Sequence, residues 1–173
     1  MIIYTDGACS GNGSANAVGG FGVVVLDDNE NFNSCYKEHA EKTTNNRMEL
    51  SAILWTMIQY GNEQPTPIVY SDSAYAVNTF NTWMWGWAAK GWVKSDNKEP
   101  ENIDLIYEYY KLYSSGDYKI DLRKCKGHKG IYWNEQADKL AVAAKEDLQE
   151  VTIKVMEYNK PNKNNSIIMK GKG

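Results

Sequence analysis

The chain has 173 residues, 42% of them hydrophobic and 24% charged, with a net charge of −3, and this length fits one domain. Its apolar stretches are too short to cross a bilayer, and its first residues lack the segments of a secretory signal. Three widely spaced cysteines without a CxxC pair argue against a zinc site or a disulfide framework. We therefore expect a cytoplasmic protein with reduced thiols.

The first half of the chain predicts three short strands, then a helix and a fourth strand. The strands are predicted at residues 2–6, 18–26, 32–39 and 68–72. Short connections between the first three favour an antiparallel meander. Apolar residues recur at helical spacing from Leu50 to Ile58, after the cap residues Thr43 and Thr44 and before Gly61.

The second half predicts three further helices and one strand around a tryptophan-rich segment. The predicted order is a short helix at 73–80, a Trp/Lys-rich segment at 83–98, a helix at 100–115, a strand at 118–125, a loop at 126–132 and a helix at 134–147. Residues 151–156 could form a strand, whereas the Lys/Asn-rich tail at 159–172 is expected to be mobile. The pattern predicts an α/β domain at 1–147 with a mixed five-stranded sheet, and an extension at 148–173.

Four acidic residues fall where strands end or where helices meet the sheet. Asp6 and Asp72 end the first and fourth strands, while Glu49 and Asp138 lie beside the apolar stripes of their helices. Clustered carboxylates repel one another unless a hard cation lies among them, and oxygen ligands suit Mg²⁺ or Mn²⁺. Two such ions about 4 Å apart would support phosphodiester hydrolysis. Acids in these places also cap helices or face solvent, so both interpretations stay open.

Five short segments resemble the type 1 ribonuclease H family, in family order and with family-like spacing. They are Tyr4-Thr-Asp6-Gly7, Thr43-Thr-Asn-Asn-Arg-Met-Glu49-Leu50, Tyr70-Ser-Asp72-Ser73, Lys126-Gly-His128-Lys-Gly130 and Asn134-Glu-Gln-Ala-Asp138-Lys-Leu-Ala141. The Trp83 to Trp92 segment is similar to the protruding handle of that family. The resemblance covers about residues 1–146 and implies the ribonuclease H fold, with sheet order 3-2-1-4-5.

The resemblance implies an endonuclease that cuts the RNA strand of an RNA–DNA hybrid and leaves 3′-hydroxyl and 5′-phosphate ends. The four acids Asp6, Glu49, Asp72 and Asp138 match its metal-binding residues, which hold two Mg²⁺ ions, with Mn²⁺ as a substitute. His128 matches a histidine that assists proton transfer and product release. The expected partner is the hybrid, without a membrane, and the protein is expected to be a monomer.

The same resemblance implies where the hybrid is contacted. The positions that match minor-groove contacts are Cys9, Gly11, Asn12, Asn45 and Asn46. Those that match a pocket for a DNA-strand phosphate are Thr44 and Asn102, with Lys42 nearby. The handle contributes Trp83, Trp87, Lys90 and Trp92, and we expect its tryptophans to pack rather than to stack on nucleic acid. Ala88 and Ala89 stand where well-studied handles carry lysines, which predicts weaker hybrid binding.

Three alternatives remain at the level of the sequence. A non-catalytic hybrid-binding module of the same fold would have lost an acid, whereas all four are present. A resolvase, strand transferase or phosphotransferase is disfavoured by the absence of a Walker loop and by the Thr43–Glu49 segment. The third is a domain of a polymerase polyprotein; a strand that starts directly after Met1 favours a free-standing enzyme.

Overall fold

The main sheet is mixed and five-stranded. The computed structural model describes residues 1–125, 131–156 and 164–170. Its strands are β1 (Ile2–Ser10), β2 (Val18–Leu26), β3 (Phe32–Glu41), β4 (Ile68–Ser71) and β5 (Asp121–Lys124). The spatial order is β3-β2-β1-β4-β5, with β1, β2 and β3 antiparallel and β4 parallel to both β1 and β5. The predicted sheet order is thus confirmed.

Five α-helices and one π-helical turn accompany the sheet in the described part of the chain. They are α1 (Asn45–Tyr60), α2 (Ala74–Asn78), the π-helical turn (Thr79–Trp83), α3 (Met84–Ala89), α4 (Ile103–Ser114) and α5 (Ile131–Lys145). The Thr44 hydroxyl accepts a hydrogen bond from the Arg47 N–H at the start of α1. Gly61 closes that helix by donating to Met57, so both predicted ends of α1 are confirmed. No helix among these is long and apolar enough to cross a membrane.

The helices cover both faces of the sheet and create two hydrophobic cores. Consecutive residues of a strand point to opposite faces, so Ile3 enters the core shared with α1 and α4 while Tyr4 enters the core shared with α5. The β2 residues Val23–Leu26 are all nearly inaccessible to solvent for the same reason. Burying each such aliphatic side chain contributes about 2 kcal/mol. The two cores hold α1 and α5 against β1 from opposite sides.

The strands β1 and β5 differ most in length from the prediction, and the pairing partners explain why. Strand β1 continues to Ser10, because residues 7–10 pair with residues 18–21 of β2. They belong to the segment 7–16, whose many Gly, Ser and Asn residues predict a loop, but a ladder requires only backbone groups. Strand β5 is shorter than the predicted 118–125, because it pairs only with the four residues of β4.

Three helices also differ in their bounds from the prediction. The helix predicted at 73–80 instead runs through α2, the π-helical turn and α3 to Ala89. A π-helical turn contains more residues than an α-helical turn. Phe80, within this turn, and Met84, directly after it, both remain buried in the core. Helix α4 is shorter than the predicted 100–115 at both ends. Helix α5 begins within the predicted loop, at Ile131.

The extension after α5 forms a separate two-stranded sheet. Strand β6 (Glu150–Met156) confirms the predicted strand, but β7 (Asn164–Lys170) lies within the tail for which no strand was predicted. The antiparallel register pairs Ile153 with Ile167, so an apolar segment inside the Lys/Asn-rich sequence finds a backbone partner. The division into a domain at 1–147 and an extension at 148–173 stays a prediction.

Candidate active site

Asp6 lies in the middle of β1 and not at its end as predicted. It is the first residue beyond the pairing with β4, which stops at Thr5 and Ser71. Asp72 directly follows β4, so the two acids share the notch that opens where β4 ends. The predicted neighbourhood of Asp6 and Asp72 is therefore observed, with β1 continuing past it along β2.

Two glycines allow helices to approach the sheet closely beside Asp6. A Cβ at Gly7 would lie 2.6 Å from the Glu49 backbone nitrogen. A Cβ at Gly22, which pairs with Asp6 across the ladder, would lie 2.5 Å from the Ala137 carbonyl oxygen. Without these side chains the start of α1 and the middle of α5 both reach β1, which carries Glu49 to Asp6.

Three carboxylates converge in this notch. Asp6, Glu49 and Asp72 each offer an oxygen, and these oxygens lie within 4.8 Å of one another. Asp138, exposed on α5, brings its side chain within hydrogen-bonding reach of Asp6. The structure thus brings three of the predicted acids together, and Asp138 lies near enough to Asp6 to affect its pKa.

Asn134 is a neighbour of the site that the sequence analysis did not single out. Its side-chain amide donates to Asp72 Oδ2 at 3.4 Å, and its side-chain oxygen lies 3.9 Å from the Cys125 thiol. Its place at the start of a family-like segment was the available signal. Burial, followed by the charge of Asp72, raises the pKa of Cys125 to about 11, so this thiol stays neutral and the donor set consists of oxygens.

Burial and mutual repulsion make the acid cluster electrostatically unfavourable by itself. Asp6 is 5% and Glu49 9% exposed. Burial is the largest cause that raises the pKa of Asp6, and the charges of Glu49 and Asp72 raise it further. Burial also raises the pKa of Glu49, against a hydrogen bond from Asp6 that lowers it. The buried pair therefore retains a proton well above the ordinary carboxyl range.

This donor set fits a divalent metal ion. Glu49 Oε2 is buried and has no hydrogen-bond partner among the described residues, which is a costly arrangement for a carboxylate oxygen. A hard cation between Asp6, Glu49 and Asp72 would supply that partner and offset the repulsion. The cluster could thus hold a metal ion with carboxylate oxygens alone.

The raised pKa values predict how the stability of the metal-free protein depends on pH. A carboxyl whose pKa is higher in the folded than in the unfolded state binds more protons when folded, so stability falls as pH rises toward the folded pKa. Relative to the Asp6→Asn variant, we expect the free energy of unfolding in EDTA to fall by about 1 kcal/mol per pH unit from about pH 5 to 7. Urea denaturation measures it, with Mg²⁺ removing the trend. A rise over this range would contradict the assignment.

The loop residues predicted to contact the minor groove lie next to the start of α1. The left-handed Gly11 (φ 69°) opens a turn, and the side-chain oxygen of Asn12 accepts from the Asn45 N–H at 2.7 Å. The Cys9 thiol lies 3.6 Å from the Thr43 carbonyl oxygen, and Asn46 is exposed. The predicted residues Asn12 and Cys9 therefore contact the segment at which α1 begins. His128 lies outside the described residues.

The residues predicted for a phosphate pocket come from two helix starts. Thr44 caps α1, and Asn102 precedes α4 with a left-handed backbone, φ 61°. Lys42 is exposed and also left-handed, φ 50°. Arg47 contacts Thr44 through its backbone and Asn102 through its guanidinium, at 3.0 and 3.3 Å. The sequence analysis did not single out Arg47, although it lies within a family-like segment.

The handle tryptophans mostly pack, as predicted. Trp87 packs against the core shared with α1 and α4, and Trp92 meets the Tyr110 ring edge-on, with centroids 4.9 Å apart. Trp83 remains 42% exposed. Together with Trp87 and Lys90 it lines an open groove of about 590 Å³.

Comparison with known proteins shows to which family this fold and its acid notch belong. The family model described as RNase H matches residues 1–146. The ribonuclease H of Francisella philomiragia subsp. philomiragia is 40% identical over 144 residues, 82% of this chain and 88% of that protein. The ribonuclease H of Clostridium botulinum (strain Hall) is 34% identical over 156 residues, 85% of this chain and 96% of that protein.

A solved structure shares the fold. LC11-RNase H1 in complex with an RNA/DNA hybrid superposes with a TM-score of 0.61 at 23% identity, over 84% of this chain and 96% of that one. The chain belongs to the ribonuclease H family, and it is a nuclease of that family.

Proposed function

We propose that this protein hydrolyses the RNA strand of RNA–DNA hybrids with two Mg²⁺ ions and leaves 3′-hydroxyl and 5′-phosphate ends. The observation that carries the proposal is the convergence of Asp6, Glu49 and Asp72 within 4.8 Å in a chain of the ribonuclease H family. The hybrid bound to LC11-RNase H1 supports this choice of substrate. Mn²⁺ is proposed as a substitute, because its preference for oxygen ligands is similar.

Asp6, Glu49, Asp72 and Asp138 are the proposed metal ligands. These residues would hold two Mg²⁺ ions, whose positive charge would supply activation of the attacking water and stabilisation of the leaving oxygen. Asp6 and Glu49 are held by the sheet and by α1, so their geometry is preorganised. Asn134 orients the exposed Asp72 through its amide, at 3.4 Å.

The proposed residues around the notch each have a separate role. His128 assists proton transfer and product release. The surface formed by Cys9, Gly11, Asn12, Asn45 and Asn46 faces the minor groove, where 2′-hydroxyl groups distinguish RNA from DNA. Thr44, Asn102 and Lys42 grip a DNA-strand phosphate, while the handle residues Trp83, Trp87, Lys90 and Trp92 extend the contact. We also propose that the protein is a cytoplasmic monomer.

Cleavage of matched duplexes tests this proposal. We expect Mg²⁺-dependent cutting of the RNA strand in a labelled RNA–DNA hybrid, no cutting of the same sequence as RNA–RNA or DNA–DNA, and complete loss of activity in EDTA. The specificity follows because only the hybrid offers 2′-hydroxyl groups on one strand and a deoxyribose strand for the phosphate pocket. Denaturing gel electrophoresis of end-labelled strands measures all three.

A DNA four-way junction serves as the competing substrate. Cutting of the junction in preference to the hybrid would overturn the proposal in favour of a resolvase. Equal cutting of hybrid and RNA–RNA would contradict the assignment of a DNA-strand pocket. Ligation with an ATP-dependent RNA ligase, which joins a 3′-hydroxyl to a 5′-phosphate, identifies the ends, and 5′-hydroxyl products, which cannot be ligated in this way, would contradict the two-ion chemistry.

A further inference from the structure

Arg47 and Asp104 join the first turns of α1 and α4. The guanidinium donates to both carboxylate oxygens of Asp104, from Nη1 at 3.0 Å and from Nη2 at 2.6 Å. This two-point geometry uses the planar fork of arginine, which lysine cannot reproduce. The Arg47 side chain is 35% and that of Asp104 61% exposed, so the pair lies at the surface and its value for global stability is small.

The same guanidinium also holds Asn102. Nη1 donates to the Asn102 side-chain oxygen at 3.3 Å, and the Asn102 amide in turn donates to the Tyr75 hydroxyl at 3.3 Å. Asn102 makes no side-chain cap on α4, although capping is the usual role of asparagine at a helix start. Its side chain is instead fixed between α1 and α2.

The backbone of Arg47 holds Thr44. Its hydroxyl oxygen accepts from the Arg47 N–H at 3.0 Å, which leaves the hydroxyl hydrogen available to a ligand. Arg47 therefore contacts both Thr44 and Asn102, the two residues of the proposed phosphate pocket that come from different helices.

The charge of Arg47 is already paired. The hydrogen bonds that Arg47 donates to Asp104 raise the pKa of Arg47, and the guanidinium lowers the pKa of the Asp104 carboxyl. An arginine held bidentately by a carboxylate has given up the geometry that grips a phosphate in the same way. Among the residues proposed for the pocket, Lys42 is then the positively charged side chain that remains for the phosphate.

We propose that Arg47 is a positioning residue that, clasped by Asp104, sets the spacing of Thr44 and Asn102 for a phosphate of the DNA strand. The inference rests on the proposed function and adds how its pocket is assembled. Arg47 acts through the two pocket residues rather than on the phosphate itself.

The variant Asp104→Asn separates the two roles because they predict opposite signs. It removes a negative charge beside the pocket, so binding would tighten if Arg47 were a phosphate ligand restrained by Asp104. With the clasp broken, we expect the KM for the hybrid to rise about fivefold while kcat at saturating hybrid stays unchanged. Steady-state cleavage and filter binding of the hybrid in Ca²⁺ measure both. An unchanged or lowered KM would overturn the proposal.

Two further variants test the route through Asn102. Asn102→Gly removes the side chain without strain, because glycine accepts a left-handed backbone. If Arg47 acts through Asn102, the double variant Asn102→Gly/Asp104→Asn should have a KM less than twofold above that of Asn102→Gly alone. A KM fivefold above that of Asn102→Gly would contradict this route. Glu108→Gln is the matched control, since it breaks the Lys111–Glu108 pair on the same helix and removes the same charge. We expect Glu108→Gln to leave the KM for the hybrid unchanged. If its KM rose as much as that of Asp104→Asn, the loss of negative charge alone would explain both results, which would contradict the proposal.

Failure of the proposed function and failure of this inference give different results. A wild-type protein that binds the hybrid but does not cut it refutes the nuclease activity, and the binding measurements on Asp104→Asn still test the clasp. A wild-type protein that cuts the hybrid, with Asp104→Asn binding as tightly as wild type, refutes the clasp alone.

Discussion

Asp6→Asn should lower the rate of hybrid cleavage by a factor of about 10³, because losing an anionic metal ligand removes about 4 kcal/mol of transition-state stabilisation. The same substitution should stabilise the metal-free protein at neutral pH by about 1 kcal/mol, because Asp6 is buried beside Glu49 and Asp72. Single-turnover cleavage and urea denaturation in EDTA measure the two effects. A function–stability trade of this kind is typical of charged active sites.

Two other variants make this result specific. Asp72→Asn should lower cleavage by a similar factor but raise metal-free stability less than Asp6→Asn does, because Asp72 is itself exposed and the substitution relieves only its repulsion of the buried pair. Asp117→Asn, in the exposed turn after α4, should alter neither property. Retained cleavage in both Asp6→Asn and Asp72→Asn would refute the assignment of the acid notch, and a destabilised Asp6→Asn would refute the account of its electrostatics.

Gly7→Ala should destabilise the protein by about 3 kcal/mol and reduce cleavage as well. Its Cβ would lie 2.6 Å from the Glu49 backbone nitrogen and 2.7 Å from the Met48 carbonyl carbon. Backbone atoms in the first turns of a helix cannot move separately, so α1 must shift away from β1 and carry Glu49 away from Asp6. Thermal denaturation measures the stability, and a Mg²⁺ titration of cleavage measures the weakened metal site.

Gly86→Ala is the matched control for the glycine substitution. Gly86 lies in α3 with nothing within 4 Å of its added Cβ, and alanine favours a helix over glycine by about 1 kcal/mol. It should therefore fold as stably as the wild type or slightly more so. If Gly7→Ala were as stable as Gly86→Ala, the close approach of α1 to β1 would not be what places Glu49.

Helix α1 shows how much local sequence could predict. Its apolar spacing, the Thr44 cap and Gly61 are all features within one helix length, and both ends were predicted from them. Strand β1 shows the opposite case. Residues 7–10 have loop-like composition. They form a strand only because they pair with residues 18–21 of β2, and local composition does not reveal such a pairing partner.

The candidate site follows the same division. The presence of Asp6, Glu49, Asp72 and Asp138 in family-like segments was sufficient to expect an acidic metal site. Their distances were not predictable, since they depend on how closely α1 and α5 approach the sheet at Gly7 and Gly22. The contacts of Asn134 and Arg47 were missed because each joins residues far apart in the chain, such as Arg47 and Asp104.

The sequence by itself determined the order of most helices and strands and the resemblance to the ribonuclease H family, because periodicity, caps and short motifs are properties of neighbouring residues. That resemblance implied the sheet order and the candidate acids. The tertiary structure alone decided that Asp6 lies mid-strand, that Glu49 is buried with an unpartnered oxygen, and that Arg47 is paired with Asp104. Burial and ion pairing depend on which groups meet across the fold. The electrostatics that make the notch suitable for a cation therefore arise only when the chain has folded.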